Sequence, residues 1–269
     1  MILTPLQERV LGVLVDVAER NGFAMGGSVA LQALGIVVRP TEDFDMYSTS
    51  MDPDVYAKVE QDLTNALGAI GLKTSITKTM DWFRCVLVED TESGELVRVD
   101  LGLMSRTRPI SRHPQVGGVL DIEDLRASKV DALVTRRAPR DYIDTYNIVK
   151  TGAWTIDEID EYVARFRPEV SRDEWKQTLD SMATIPPGDF AEYNIDAIEL
   201  AEMTEFFIAW AGMIPPSTPT VETPMIDVEF DLDIPLPTSP DVTKSPSTSN
   251  SLGEAAAQRL ASGKRRGGE

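Results

Sequence analysis

The chain has 269 residues, 42% of them hydrophobic, and a net charge of -18. A chain of this length and composition folds around a sizeable core, and its acidity does not invite non-specific adhesion to nucleic acid or anionic membranes. One cysteine, Cys85, excludes an internal disulfide and fits a reducing cytoplasm; one histidine, His113, excludes a metal centre built on several imidazoles.

The chain opens with "MILTPLQERVLGVLVDVAER". Leu11, Leu14, Val15 and Ala18 recur at helical spacing, which predicts an amphipathic helix over 4–20. Glu8 and Arg9 precede its apolar stretch and no cleavage pattern follows, so it does not read as a signal peptide. No apolar run reaches the length of a membrane span. A short strand at "GFAMGG" leads through Ser28 into a helix at 28–34. "DFDMYS" reads as a strand and 53–68 as a helix. Three strand-like runs follow, "LKTSITKT", "WFRCVLVED" and "ELVRVDLGLM", with "ESGE" as the hairpin turn between the last two. A Ser-His-Asp triad would have to use His113, which sits in "ISRHPQVGG", a turn-like context.

After residue 120 the pattern is helical throughout. "DIEDLRASKVDALVTRR", "PRDYIDTYNIVK", "TIDEIDEYVARF", "SRDEWKQTLDSMA" and "PGDFAEYNIDAIELAEMTEFFIAW" each read as one helix. The composition then changes. Residues 215–269 hold eight of the seventeen prolines, with 8 acidic and 5 basic residues, so the acidity belongs mainly to the body. A Pro/Ser/Thr-rich tail of this kind is expected to be disordered. Within it, "PMIDVEFDLDIPL" alternates as an added strand would, and "SLGEAAAQRLASGKRR" reads as a short helix, both candidates for ordering on a partner. The expected division is a core over 1–120, a helical domain over 121–214 and the tail over 215–269.

The chemistry concentrates in "GGSVALQALGIVVRPTEDFDMYS". On a strand Asp43 and Asp45 point to one face, with Phe44 and Met46 behind them. Their Cα atoms then lie roughly 6–7 Å apart. Two such carboxylates repel unless a cation sits between them, and oxygen donors without His or Cys point to Mg²⁺ or Mn²⁺. An acidic pair on a solvated edge strand is the plainer alternative. Gly26 and Gly27 allow close backbone approach to a phosphate, and Ser28 either donates to that phosphate or caps the helix. Asp100, in "VRVDLGL", either completes a metal site from a neighbouring strand or faces water at a strand end. Lys129 falls on the apolar stripe of Ile122, Leu125 and Leu133, so it either needs an acidic or phosphate partner or snorkels outward. Asp141 and Asp144 share a face of the next helix. An ordinary ion pair between the two helices is the plainer reading.

These residues resemble the nucleotidyltransferases of the DNA polymerase β superfamily, and within it the AbiEii/AbiGii-type toxins. "GGSVALQALG" followed by "RPTEDFD" resembles the first motif of that branch, and "EDLRASKVDALVTRRAPRDYIDTY" its second. The resemblance covers roughly residues 20–150. It implies an α+β fold, a mixed sheet with flanking helices followed by a C-terminal helical bundle, with 1–120 as the nucleotidyltransferase core and 121–214 completing the active site. It implies that Gly26, Gly27, Ser28, Arg39 and Lys129 bind the nucleotide and that Asp43, Asp45 and Asp100 bind metal. Asp43, Asp45, Asp100, Lys129 and Asp141 would be catalytic, with Arg140 and Asp144 as additional candidates.

The implied reaction moves a nucleoside monophosphate from an NTP to an acceptor hydroxyl, with Mg²⁺ or Mn²⁺ as cofactor. A cytoplasmic toxin of a type IV-like toxin–antitoxin or abortive-infection system would act on tRNA or another RNA, with an antitoxin encoded by an adjacent gene. Arg106, Arg108, Arg112, Arg126, Arg136, Arg137 and Arg140 fall within 35 residues and would supply the basic patch. Two rivals stand beside it. An aminoglycoside-type small-molecule nucleotidyltransferase suits the acidic body. A degenerate nucleotidyltransferase would serve as a binding module, against which the intact Asp43, Asp45 and Lys129 speak.

Overall fold

The computed structural model describes residues 1–216. The tail, with its two candidate segments, lies outside the described residues from 217 onward.

The first helix, α1 (Pro5–Asn21), begins at a capping box in which Thr4 and Gln7 satisfy each other's backbone N–H groups, with Pro5 in the first turn. It ends at Gly22, whose φ of 74° is the left-handed conformation that closes helices. Strand β1 (Ala24–Met25) feeds α2 (Gly27–Ala33). Strand β2 (Asp43–Ser48), helix α3 (Pro53–Ala69) and strands β3 (Lys73–Met80), β4 (Phe83–Glu89) and β5 (Leu96–Leu103) follow in the expected order. Strands β6 (Ser111–His113) and β7 (Gly117–Val119) precede α4 (Ile122–Thr135) and α5 (Pro139–Lys150). Then come α6 (Ile156–Phe166), α7 (Arg172–Asp180), a 3-10 turn over Ser181–Thr184, α8 (Gly188–Ala191) and α9 (Ala197–Met213).

Seven strands form one mixed sheet in the order β3-β4-β5-β2-β1-β7-β6. The β4–β5 hairpin is antiparallel, β2 runs parallel to β5, and β1 pairs antiparallel with β2 and parallel with β7. One sheet face is apolar. Phe44, Val99 and Val86 align across β2, β5 and β4 and are all buried. Helices α1 and α3 pack against each other and against strands of the sheet. Phe23, just before β1, and Tyr56 on α3 meet edge to face in that core, with ring centroids 5.5 Å apart. The α7–α9 end has its own aromatic core, in which Trp175, Phe207 and Trp210 are buried.

Three expectations need correction. The stretch around His113 is a β6–β7 hairpin rather than a plain turn. Strands of three residues are too short to display alternation, and Met25 pairing with Val119 supplies what the local pattern lacks. His113 Nδ1 accepts from the backbone N–H of Gln115, 3.3 Å away. The single helix expected over 187–210 is two. Asn194 adopts φ 61°, and Asp196 caps a new helix by accepting from the N–H groups of Ile198 and Glu199. The helix expected to run through Ser181 to Ala183 ends at Asp180 and tightens into the 3-10 turn.

Candidate active site

The loop before β2 is held from three sides. Gln7 Nε2 of α1 donates to the Thr41 carbonyl at 2.8 Å, the Ser28 and Thr41 hydroxyls lie 2.6 Å apart, and Thr41 Oγ1 donates to the Asp43 carbonyl at 2.9 Å. Ser28 therefore does not cap α2; the cap position belongs to Gly26. The Gly26 N–H donates to the Asp45 carbonyl at 2.8 Å, which locks the glycine turn against β2.

Gly27 has a specific reason to be glycine. Its φ is +58°, and a Cβ there would stand 1.9 Å from Asp45 Oδ2. Gly27→Ala is expected to combine left-handed strain with a displaced Asp45 carboxylate. It should destabilise the fold by about 1–2 kcal/mol from the backbone alone. Urea unfolding measures it; an unchanged midpoint would show that the turn is not held as described.

The strand register sets Asp45 beside Asp100 and Asp43 beside Arg98. A cavity of about 240 Å³ opens over these positions, walled by Ser28, Arg39, Asp43, Asp45, Tyr47, Arg98, Asp100, Lys129, Arg136 and Arg140. Five cationic side chains face three carboxylates there, on a chain whose net charge is -18. Burial, with Asp43 next to it, pushes the Asp45 carboxyl up to about 6 against the pull of Lys129. Burial, followed by the Asp45 and Asp100 charges, raises the Tyr47 phenol as well.

Arg98 spans two of the carboxylates, pairing with Asp43 and lying 3.4 Å from Asp100. Among the described residues no three acidic, cysteine or histidine side chains are gathered at ligand spacing. The donor set nonetheless fits a hard divalent cation. It is all oxygen, Asp100 Oδ1 is buried with no hydrogen-bond partner among the described residues, and the missing Cβ of Gly27 leaves room at Asp45 Oδ2.

Behind the cavity stand two fully buried carboxylates on α5. Asp144 accepts from Arg39 Nε at 2.7 Å and Arg39 Nη2 at 2.8 Å, and pairs with Lys129 Nζ at 2.9 Å. Although burial pushes Asp144 upward, Lys129 and Arg39 hold it below its ordinary value. Asp141 accepts from Arg136 through Nε at 2.9 Å and Nη2 at 2.5 Å, and from the Ala138 N–H at 3.0 Å. Neither carboxylate lines the cavity. Each holds a cation that does. Arg140 reaches Glu42 at 3.0 Å and lies 3.7 Å from Asp43.

The structure thus gathers Ser28, Arg39, Asp43, Asp45, Asp100, Lys129 and Arg140 in one wall, sets Gly26 and Gly27 against β2, and places Asp141 and Asp144 behind. Sequence reasoning missed Arg98 and Tyr47. Both were within reach: Arg98 is two residues from Asp100, and Tyr47 two from Asp45, so strand alternation puts each on its neighbour's face.

A mixed sheet with a glycine turn feeding a helix, a D-x-D strand, a third acid alongside and an inward lysine on the following helix is the architecture of the nucleotidyltransferase class. A family model described as "Nucleotidyl transferase AbiEii toxin, Type IV TA system" matches residues 9–233, and the chain belongs to that family. Among solved structures, JHP933 from Helicobacter pylori superposes with a TM-score of 0.52 at 16% identity, covering 79% of this chain and 93% of its own. A second H. pylori protein, titled a candidate nucleotidyltransferase, gives 0.50 at 16% identity over 79% of this chain and 96% of its own. MenT4, a nucleotidyltransferase toxin from Mycobacterium tuberculosis H37Rv, gives 0.49 at 15% identity over 78% and 82%. At these identities the first two show the fold alone. No curated protein matches the chain. No helix among the described residues is long and apolar enough to cross a membrane.

Proposed function

We propose that this nucleotidyltransferase-family chain transfers a nucleoside monophosphate from an NTP to an acceptor hydroxyl on RNA, as the toxin of a pair whose antitoxin is encoded nearby. The observation that carries the reading is the cationic wall around three carboxylates in an otherwise acidic protein. Arg39, Lys129, Arg136 and Arg140 suit a triphosphate, which none of the acidic outer surface does. The Gly26–Ser28 turn would carry the phosphates against its backbone N–H groups. Asp43, Asp45 and Asp100 would hold the Mg²⁺ or Mn²⁺ ions, with Arg98 yielding the two carboxylates it now spans. When bound, such ions neutralise the charge developing on the transferred phosphoryl group. The protein contributes position and fixed charge, so no covalent intermediate is needed.

Asp100 would take the proton of the attacking hydroxyl. Asp144 and Asp141 would act as positioning residues, the first for Arg39 and Lys129, the second for Arg136. In this scheme residues 1–120 supply the carboxylates and the glycine turn, and residues 121–214 supply Lys129, Arg136 and Arg140.

The test is incubation with each labelled NTP, Mg²⁺ and total RNA. A discrete RNA band should take up label, and Asp43→Ala and Lys129→Ala should abolish it. Charge reversal at Arg136 should weaken it and reduce the salt dependence of RNA binding. If RNA stays unlabelled while an aminoglycoside or a protein is labelled, the acceptor assignment is wrong and the transfer chemistry stands. If nothing is labelled with any NTP, the transferase reading is wrong.

A further inference from the structure

Rows of side chains cross the cavity face of the sheet. Asp45 aligns with Asp100 and Cys85, and one row further along Tyr47 aligns with Gly102 and Phe83. That step is two residues, roughly 7 Å, and across it the wall changes from charged to aromatic. Tyr47 belongs to both sides. It lines the polar cavity and also a second, mainly apolar one of about 380 Å³, bounded by Met80, Asp81, Trp82, Phe83, Gly102 and Leu103. A Cβ on Gly102 would stand 3.2 Å from the Tyr47 ring, so the ring lies close over β5 at this glycine.

The far wall is fixed in place. Trp82 Nε1 donates to the Met51 carbonyl at 2.7 Å, and the Leu103 N–H donates to the Trp82 carbonyl at 3.1 Å. Trp82 is nevertheless 39% exposed and Met80 55% exposed. Lys78 sits 5.4 Å over the Phe83 ring and occupies one of its faces, and Trp82 is the more exposed of the two rings. An indole whose only polar group is already bound, and part of whose surface stays exposed, suits stacking on a flat π system. Its side of the site matters too. The Gly26–Ser28 turn follows β1, on one flank of the β2 carboxylates, whereas Asp100 and the aromatic cavity lie on the β5–β4 flank. With phosphates on the first flank, the second is the acceptor's.

We propose that Trp82, with Met80 and the edge of Phe83, forms a stacking platform for the unpaired nucleobase that carries the acceptor hydroxyl, an inference that rests on the nucleotidyltransferase reading above. The acceptor is then a single-stranded RNA end, whose ring docks one row beyond Asp100.

The experiment measures two affinities on the full chain: that for an unstructured RNA oligonucleotide, by fluorescence anisotropy, and that for NTP with Mg²⁺, by calorimetry. Trp82→Ala should weaken RNA binding about tenfold, within the range for loss of one base–aromatic stack, and Trp82→Phe should restore most of it. NTP affinity should stay unchanged in both variants, which also shows that the fold survives. Weakened NTP binding with RNA unaffected would assign the platform to the incoming base and overturn the proposal. Equal RNA affinity in all three proteins, or no RNA binding by the wild type, would overturn it as well. A wild type that binds RNA through Trp82 but no NTP would instead overturn the nucleotidyltransferase reading.

Discussion

Replacing Asp144 by Ala is expected to be the most destabilising single change in the site. Its carboxylate is fully buried and neutralises two cations, the 2%-exposed Arg39 guanidinium and the Lys129 ammonium. Removing it takes the paired carboxylate from both charges, leaving Arg39 only the Pro40 carbonyl and the Tyr193 ring, and Lys129 the field of Asp45. Breaking a buried pair from one side costs about 3–5 kcal/mol, and two orphaned partners place this case at the upper end. Asp144→Asn keeps the shape and two hydrogen-bonding groups, so it should cost less while still removing the charge. Chemical denaturation of both variants checks this. A loss below about 1 kcal/mol for Asp144→Ala would mean that the triad is relaxed by water or by movement of Lys129. Because burial is outweighed and the Asp144 carboxyl is held below its ordinary value, its contribution is present above the carboxylate range. It is lost only as pH falls through that depressed value.

Asp45→Asn should do the opposite to stability and more to activity. In the metal-free protein the Asp45 carboxyl is pushed up to about 6, from an ordinary 3.8, by burial and by Asp43. A carboxyl raised on folding costs stability above its folded pKa and nothing below its unfolded one. Asp45→Asn should therefore stabilise the metal-free protein by on the order of 1–3 kcal/mol at pH 7. That gain should shrink as pH falls from 6 towards 4. Nucleotide transfer should fall by at least about 10²–10³-fold, as for loss of a preorganised charge-stabilising group. Thermal melts in chelator at pH 4, 6 and 7.5 separate the two effects. A variant less stable than the wild type at pH 7.5 would contradict the electrostatic account.

Much of this site was legible from local periodicity. Alternation along "DFDMYS" set Asp43 and Asp45 on one face with Phe44 and Met46 behind, and both apolar residues are buried. The stripe of α4 placed Lys129 on an apolar face, where it either meets an acidic or phosphate partner or snorkels outward; it meets Asp144. What alternation cannot show is which distant segment supplies the partner. Arg39 and Asp144 are 105 residues apart, and their pairing depends on α5 docking beside the loop before β2. Asp141 and Asp144 were legible as a pair on one helix face. Their complete burial was not, because a carboxylate is buried only when a cation from elsewhere meets it. Arg98 was overlooked for another reason. In "VRVDLGL" the acid drew notice, although the same two-residue step that joins Asp43 to Asp45 joins Arg98 to Asp100. The break between α8 and α9 was not read, although Asn194 is a residue type that tolerates the left-handed conformation and Asp196 one that caps helices.

The central claim is that the carboxylate row of β2 and β5, ringed by Arg39, Lys129, Arg136 and Arg140, is a metal–triphosphate site. Calorimetric titration with NTP tests it most directly, in Mg²⁺ and in chelator, on the wild type and on Asp45→Asn. The account predicts saturable binding that requires the metal and disappears in the variant, whose melting temperature confirms that it is folded. Equal NTP binding by both proteins, or binding indifferent to chelator, would contradict it.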